Sequence, residues 1–120
     1  MKADDARELA LSLPEAGEQD HHGFPSFRVG SKIFATLPDP GRLHVMLDAE
    51  QVPDALEALG DAAQKLIWGS KLAGVAVALG AADRRALSAQ LRVAWRRVAP
   101  KSLLKQVDEP PTPGTRRGRS

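Results

Sequence analysis

Seven cations and no acid lie between positions 84 and 105: Arg84, Arg85, Arg92, Arg96, Arg97, Lys101 and Lys105. At about 100° per residue, Arg85, Arg92 and Arg96 fall within about 40° of one another on a helix. The apolar residues Leu87, Leu91, Ala94, Trp95 and Val98 take a face well over 90° away, so the arginines point to solvent. Three arginines in line can span successive phosphates of a nucleic acid, and each neutralised phosphate releases a condensed counterion, the main driving term of sequence-independent binding. The competing reading is a solvated helix face that answers acids from the first half of the chain. Two further cations, Lys32 and Lys71, end the repeated tripeptide Gly-Ser-Lys at 30–32 and 69–71. Each copy sits between two β-rich runs, where a Gly-X pair predicts a tight type II′ hairpin turn. A protruding tip lets backbone approach a ligand, and serine hydroxyl and lysine ammonium both bind phosphate oxygen. Two such tips would act as two wings, although either one alone is better read as good turn chemistry with a solubilising lysine.

Other chemistry finds little support. His21 and His22 are adjacent, so on a strand they point to opposite faces and do not share a metal. His44 stands apart from them, and no H-E-x-x-H or comparable spacing is present. Glu15, Glu18 and Asp20 read as a solvated loop rather than a catalytic pair. No serine lies in a G-x-S-x-G context, and neither a P-loop nor a G-x-G-x-x-G is found. The chain has no cysteine, which excludes a thiol nucleophile, a thiolate zinc site and a disulfide framework. These absences predict a protein that is not an enzyme and uses no metal or cofactor. Its few aromatic residues do not make a base-stacking platform. Phe27, Phe34 and Trp95 fall on apolar faces and are expected in the core. No helix face offers the Asn/Gln/Arg mix of direct base readout, so contact with DNA is expected through phosphates.

The elements that must position these residues can be read from the pattern. The 120 residues suffice for one domain. Residues 1–61 hold five basic and twelve acidic side chains and residues 62–120 twelve basic and three acidic, a net of −7 against +9, which suggests a half that faces a polyanion. Six acids among the first twenty residues do not fit a signal peptide, and the longest uncharged run, 72–82, is too short to span a bilayer, so a cytoplasmic protein without membrane contact is expected. A helix is predicted over 3–13, ended by Pro14, then a turn over 14–17 and a polar segment over 18–23 that suits an edge strand. The hairpin over 26–37 should pair Phe27 with Phe34 across Gly30-Ser31. A strand over 42–47 follows, then a helix from Asp48 or Ala49 to about Leu59 with Pro53 in its first turn and Gly60 closing it. Residues 64–79 form a second hairpin and 83–98 a helix capped by Asp83. A further turn of helix fits 101–106. From Val107 onward nothing apolar anchors the chain, and 107–120 reads as a disordered tail. Hairpins between helices predict an α+β domain over 1–106, a two-layer antiparallel sheet with helices on one face in the order α-β(3–4)-α-β(2)-α.

Several stretches resemble the MmcQ/YjbR family of small bacterial proteins. They are Leu11-Ser12-Leu13-Pro14-Glu15 followed by Glu18, the run from His22-Gly23-Phe24-Pro25 through Phe27-Arg28-Val29 and Lys32-Ile33-Phe34 to Leu37, the hairpin with Trp68, and Ala94-Trp95-Arg96-Arg97-Val98-Ala99-Pro100-Lys101. The resemblance spans about residues 3–106 and is a fold signature without a catalytic constellation. It implies a YjbR-like, double-wing α+β domain and a DNA-binding role. The acidic first half and the arginines of the tail depart from it, so charge placement can differ. The expectation is a monomer or weak dimer that binds DNA through Lys32, Lys71, Arg85, Arg92 and Arg96. One alternative is an adaptor or chaperone-like module that holds a protein partner on its sheet, which an uncovered apolar sheet face would favour. Another is a small-molecule or enzymatic role around His22, Arg28 and Lys32, which a deep polar pocket would favour.

Overall fold

The computed structural model describes residues 1–108. The elements follow as α1 (Ala3–Leu11), β1 (Ala16–His21), β2 (Phe24–Val29), β3 (Lys32–Asp39), β4 (Arg42–Met46), α2 (Val52–Leu59), β5 (Ala63–Trp68), β6 (Lys71–Ala78), α3 (Arg84–Val98) and α4 (Lys101–Asp108), with 3-10 turns at Ala49–Gln51, Gly60–Ala62 and Leu79–Ala81. The strands form one six-stranded sheet in the order β1-β2-β3-β4-β6-β5, and every neighbouring pair is antiparallel. The α+β class and the antiparallel sheet are those expected, with four strands before α2 and two after it. Helix α4 takes in Val107 and Asp108, the first two residues of the predicted tail; the rest of that tail lies outside the described residues. No helix among the described residues is long and apolar enough to cross a membrane.

Local chemistry sets the helix ends. The Asp83 carboxylate accepts the Ala86 N–H at 2.9 Å and caps α3, satisfying one of the N–H groups that lack a partner within the helix. Pro53 lies in the first turn of α2, where its missing N–H costs nothing. That explains why the α-helix starts at Val52 rather than at 48 or 49: the preceding residues tighten into a 3-10 turn. Gly60 ends α2 with a positive φ of 60°, a conformation that favours glycine. Helix α1 stops at Leu11, two residues short of the predicted end, as the Ser12 hydroxyl donates to the Leu9 carbonyl at 2.7 Å.

The two Gly-Ser tips are built alike. Val29 pairs with Lys32 and Trp68 with Lys71, leaving two-residue loops in which the glycine alone has a positive φ, 63° at Gly30 and 64° at Gly69. That is the type II′ pattern predicted. The cross-strand pairing of Phe27 with Phe34 is corrected. Arg28 faces Ile33 but Phe27 faces Ala35, so Phe34 is the extra residue of a β-bulge. Two residues of the bulged strand oppose one of its partner, which is how the consecutive Phe34 and Ala35 both reach the core, each fully buried.

Alternation along the strands divides the sheet into two faces. Phe27, Val29, Ala35, Leu37, Leu43, Val45, Val75 and Val77 share one core with Ala6 and Ala10 of α1, Val52, Ala55 and Leu59 of α2, Leu87, Leu91, Ala94 and Trp95 of α3, and Leu103 of α4. All four helices therefore cover one face. The intervening residues Ser26, Thr36, His44, Met46, Ala76 and Gly74 lie on the other face, which carries no helix among the described residues. Gly74 sits opposite Met46 with a φ of 155°, and a Cβ there would run into the Val45 carbonyl and the Leu47 amide. Gly74→Ala is therefore expected to destabilise by more than about 1 kcal/mol, since both the backbone conformation and the space exclude a side chain; a urea midpoint unchanged from wild type would contradict this close approach.

Candidate functional site

Sheet topology brings the two tips to one end of the molecule. Strand β4 lies between the β2–β3 and β6–β5 hairpins and leaves the sheet soon after Met46 pairs with Gly74, where the Leu47 N–H donates to the Ala73 carbonyl at 3.0 Å. Both hairpins run on past that point, flanking the gap it leaves. Their axes are three inter-strand steps apart, about 14 Å at about 4.8 Å per step. Lys32 and Lys71 are exposed at the two tips, and neither enters an ion pair among the described residues.

The arginines of α3 lie elsewhere. Leu87, Leu91, Ala94 and Trp95 turn toward the sheet, so the exposed Arg85, Arg92 and Arg96 face away from it on the outer side of the helical layer. The five predicted binding residues thus divide into a pair at the sheet end and a stripe of three on the helix. The reading in which cations of the second half answer acids of the first holds for two other arginines. Arg84 reaches Glu8 at 2.9 Å and Asp5 at 3.6 Å. Arg97 holds Asp48 at 2.9 Å and donates to the Met46 carbonyl at 3.1 Å. Arg85 and Arg92 enter no ion pair among the described residues.

The uncovered sheet face carries a cleft of about 690 Å³. Phe24, Ile33, Met46, Leu72 and Trp68 supply its apolar walls, and Thr36 and His44, partners in the β3–β4 register, lie side by side within it. Lys71 and Arg97 line its end between the two tips, with Asp48 beside them. His22, Arg28 and Lys32 do not line it. The Arg28 Nε donates instead to the Ser26 hydroxyl, which donates to the Gln19 carbonyl, both at 2.9 Å. Among the described residues no group of three or more His, Asp or Glu is placed to hold a metal.

Burial holds the His44 imidazole below its ordinary value of 6.5; nearby Arg42 adds to the effect and Asp39 opposes it. The ring is therefore neutral at pH 7. Because its pKa is lowered on folding, the unfolded chain takes up the proton first as pH falls. Stability drawn from His44 is complete above about pH 6.5 and declines below it until the folded ring also titrates. His44→Gln is expected to flatten this part of the profile of urea midpoint against pH. The His44 ring resonances should titrate below 6.5, and a midpoint at or above that value would contradict the burial.

The alternation Leu43-His44-Val45-Met46 is a signal that could have put His44 and Met46 on the face opposite the core, but nothing in the sequence shows that no helix covers this face. Arg97 was legible only as one cation among seven; its reach to the end of β4 depends on how α3 crosses the sheet. No family model, no curated protein and no solved structure matches the chain.

Proposed function

We propose that the protein is a non-enzymatic DNA-binding module of the MmcQ/YjbR kind that grips the phosphate backbone with two hairpin wings. The observation that carries this reading is the projection of both Gly-Ser-Lys tips from one end of one sheet. Within the sheet the two hairpins are about 14 Å apart, on the scale of the B-DNA major groove, about 12 Å wide. Each tip offers a lysine without an ion pair among the described residues, a serine hydroxyl and open backbone, the groups that bind phosphate without reading bases. Arg85, Arg92 and Arg96 form a second cationic face, which adds attraction for a polyanion from the other side of the molecule. The α+β class and the antiparallel sheet support reading the domain as YjbR-like, and a cytoplasmic place of action goes with that reading. Binding of a fluorescent duplex, followed by anisotropy over a salt series, tests the reading. Affinity should fall steadily as salt rises, and absence of binding to duplex or single-stranded DNA at low salt would remove it.

A second reading, a module that holds a protein partner, is favoured by the outer edge of β5, where Ile67 and Trp68 are each more than half exposed. An apolar edge strand with unpaired backbone groups is a template for strand addition. Sedimentation velocity tests its simplest form, pairing of two copies, which Ile67→Lys should abolish while leaving DNA binding intact.

A further inference from the structure

We propose that the cleft on the uncovered sheet face binds a small amphipathic acid, an apolar body carrying one carboxylate or comparable anionic group. The volume of about 690 Å³ lies within the range of small-molecule sites, roughly 300–1,000 Å³, which pair apolar walls with a few placed polar groups. This cleft has both. Phe24, Ile33, Met46, Leu72 and Trp68 form the walls. Thr36 is only 4% exposed, yet its hydroxyl makes no hydrogen bond to another described residue. Buried hydroxyls are nearly always bonded, so a hydroxyl left open on a cavity wall is a group that an incoming ligand can satisfy. His44 lies beside it in register and likewise makes no hydrogen bond among the described residues, which adds one donor and one acceptor to the floor when the ring is neutral.

The charge at the tip end selects the ligand's sign. Asp48 answers Arg97 at 2.9 Å, while Lys71, which lines the same cleft, has no such partner among the described residues. One net positive charge beside an apolar wall suits a molecule with one acidic group at one end. It does not suit a nucleic-acid strand, whose repeated charges would meet mostly hydrocarbon. The site shares only Lys71 with the DNA-binding reading; Thr36, His44 and the apolar walls take no part in that reading, so either can fail alone.

The full chain can be titrated with 8-anilinonaphthalene-1-sulfonate, an aromatic anion of the class proposed. Saturable binding of one dye per chain is expected, with a raised unfolding midpoint, which distinguishes binding to the folded protein from binding to a loosened one. N-phenyl-1-naphthylamine, which lacks the acid, should bind about tenfold more weakly, and Lys71→Ala should weaken the dye by about the same factor, the size of one charge-assisted hydrogen bond. The exposed Lys71 leaves the unfolding midpoint of that variant unchanged. Thr36→Val, which keeps shape and removes the hydroxyl, should weaken displacement by 1-naphthoate or decanoate. Displacement by naphthoate alone assigns an aromatic acid and by decanoate alone an acyl acid. Displacement by neither, several dyes per chain, or equal affinity for the charged and uncharged probes would overturn the proposal.

Discussion

Trp95→Ala is expected to remove about 3–5 kcal/mol of stability, the cost of emptying a large aromatic site in a packed core. The ring is fully buried, on the face of α3 that meets the sheet and α1. Its Nε1–H donates to the Pro14 carbonyl at 2.9 Å, so it also ties down the segment between α1 and the first strand. The alanine variant both opens a cavity and removes the partner of a part-buried carbonyl, two effects that together make up that loss. Trp95→Phe separates the two effects: most of the packing stays and the hydrogen bond is lost, so a clearly smaller loss is expected. Urea unfolding with an unchanged slope is the measurement. A loss below about 1 kcal/mol for the alanine variant would mean that α1 and β1 do not depend on this anchor.

The same residue illustrates how much of the molecule is legible in the chain. Leu87, Leu91, Ala94 and Trp95 recur at helical spacing, so the burial of Trp95 follows from periodicity alone. Its hydrogen bond to Pro14, eighty-one residues away, does not, because it depends on how two helices settle on one sheet. The hairpin tips were legible for a local reason: a two-residue loop requires a positive φ at its first position, and Gly30 and Gly69 stand there. The bulge at Phe34 was not, since strict alternation is the only strand signal that the sequence carries, and a bulge breaks it only in the paired state. Arg84 and Arg85 are neighbours of the same type, yet one reaches Glu8 and Asp5 and the other faces solvent. Helical spacing gave their relative directions, but only tertiary packing decides which direction holds acids. The cleft was least legible. A bare sheet face is a statement about which helices are absent from it, and no residue on that face announces this.

The division of the cations between two surfaces leads to an expected result for DNA binding. On duplex DNA each phosphate neutralised contributes about −0.9 to the slope of log K against log salt. If the wings make the contact, Lys32→Ala with Lys71→Ala should reduce the slope by about 1.8, and between 50 and 200 mM salt those two contacts account for a change of about tenfold in affinity. The loss should be nearly the same for all duplex sequences, because phosphate contacts carry no base information. Arg85→Ala with Arg92→Ala should then leave the slope of a one-to-one complex unaltered, since that stripe faces away from the sheet on the opposite layer. The reverse pattern, with a slope that answers to the arginines and not to the lysines, would move the interface to α3 and leave the tips as plain turns. Both pairs can be tested without loss of the fold. All four side chains are exposed and none is in an ion pair among the described residues, so each double variant is expected to stay within about 0.5 kcal/mol of wild type, as ordinary surface substitutions do. Arg84 supplies the contrast. Its replacement by alanine releases Glu8 and Asp5 and should cost a little stability, about 1 kcal/mol or less for pairs this exposed, while leaving the salt slope where it was. A chain in which the tip lysines, the outer arginines and Arg84 all changed the slope alike would be answering DNA with its net charge, not with a placed surface, and the wings would then have no special part in binding.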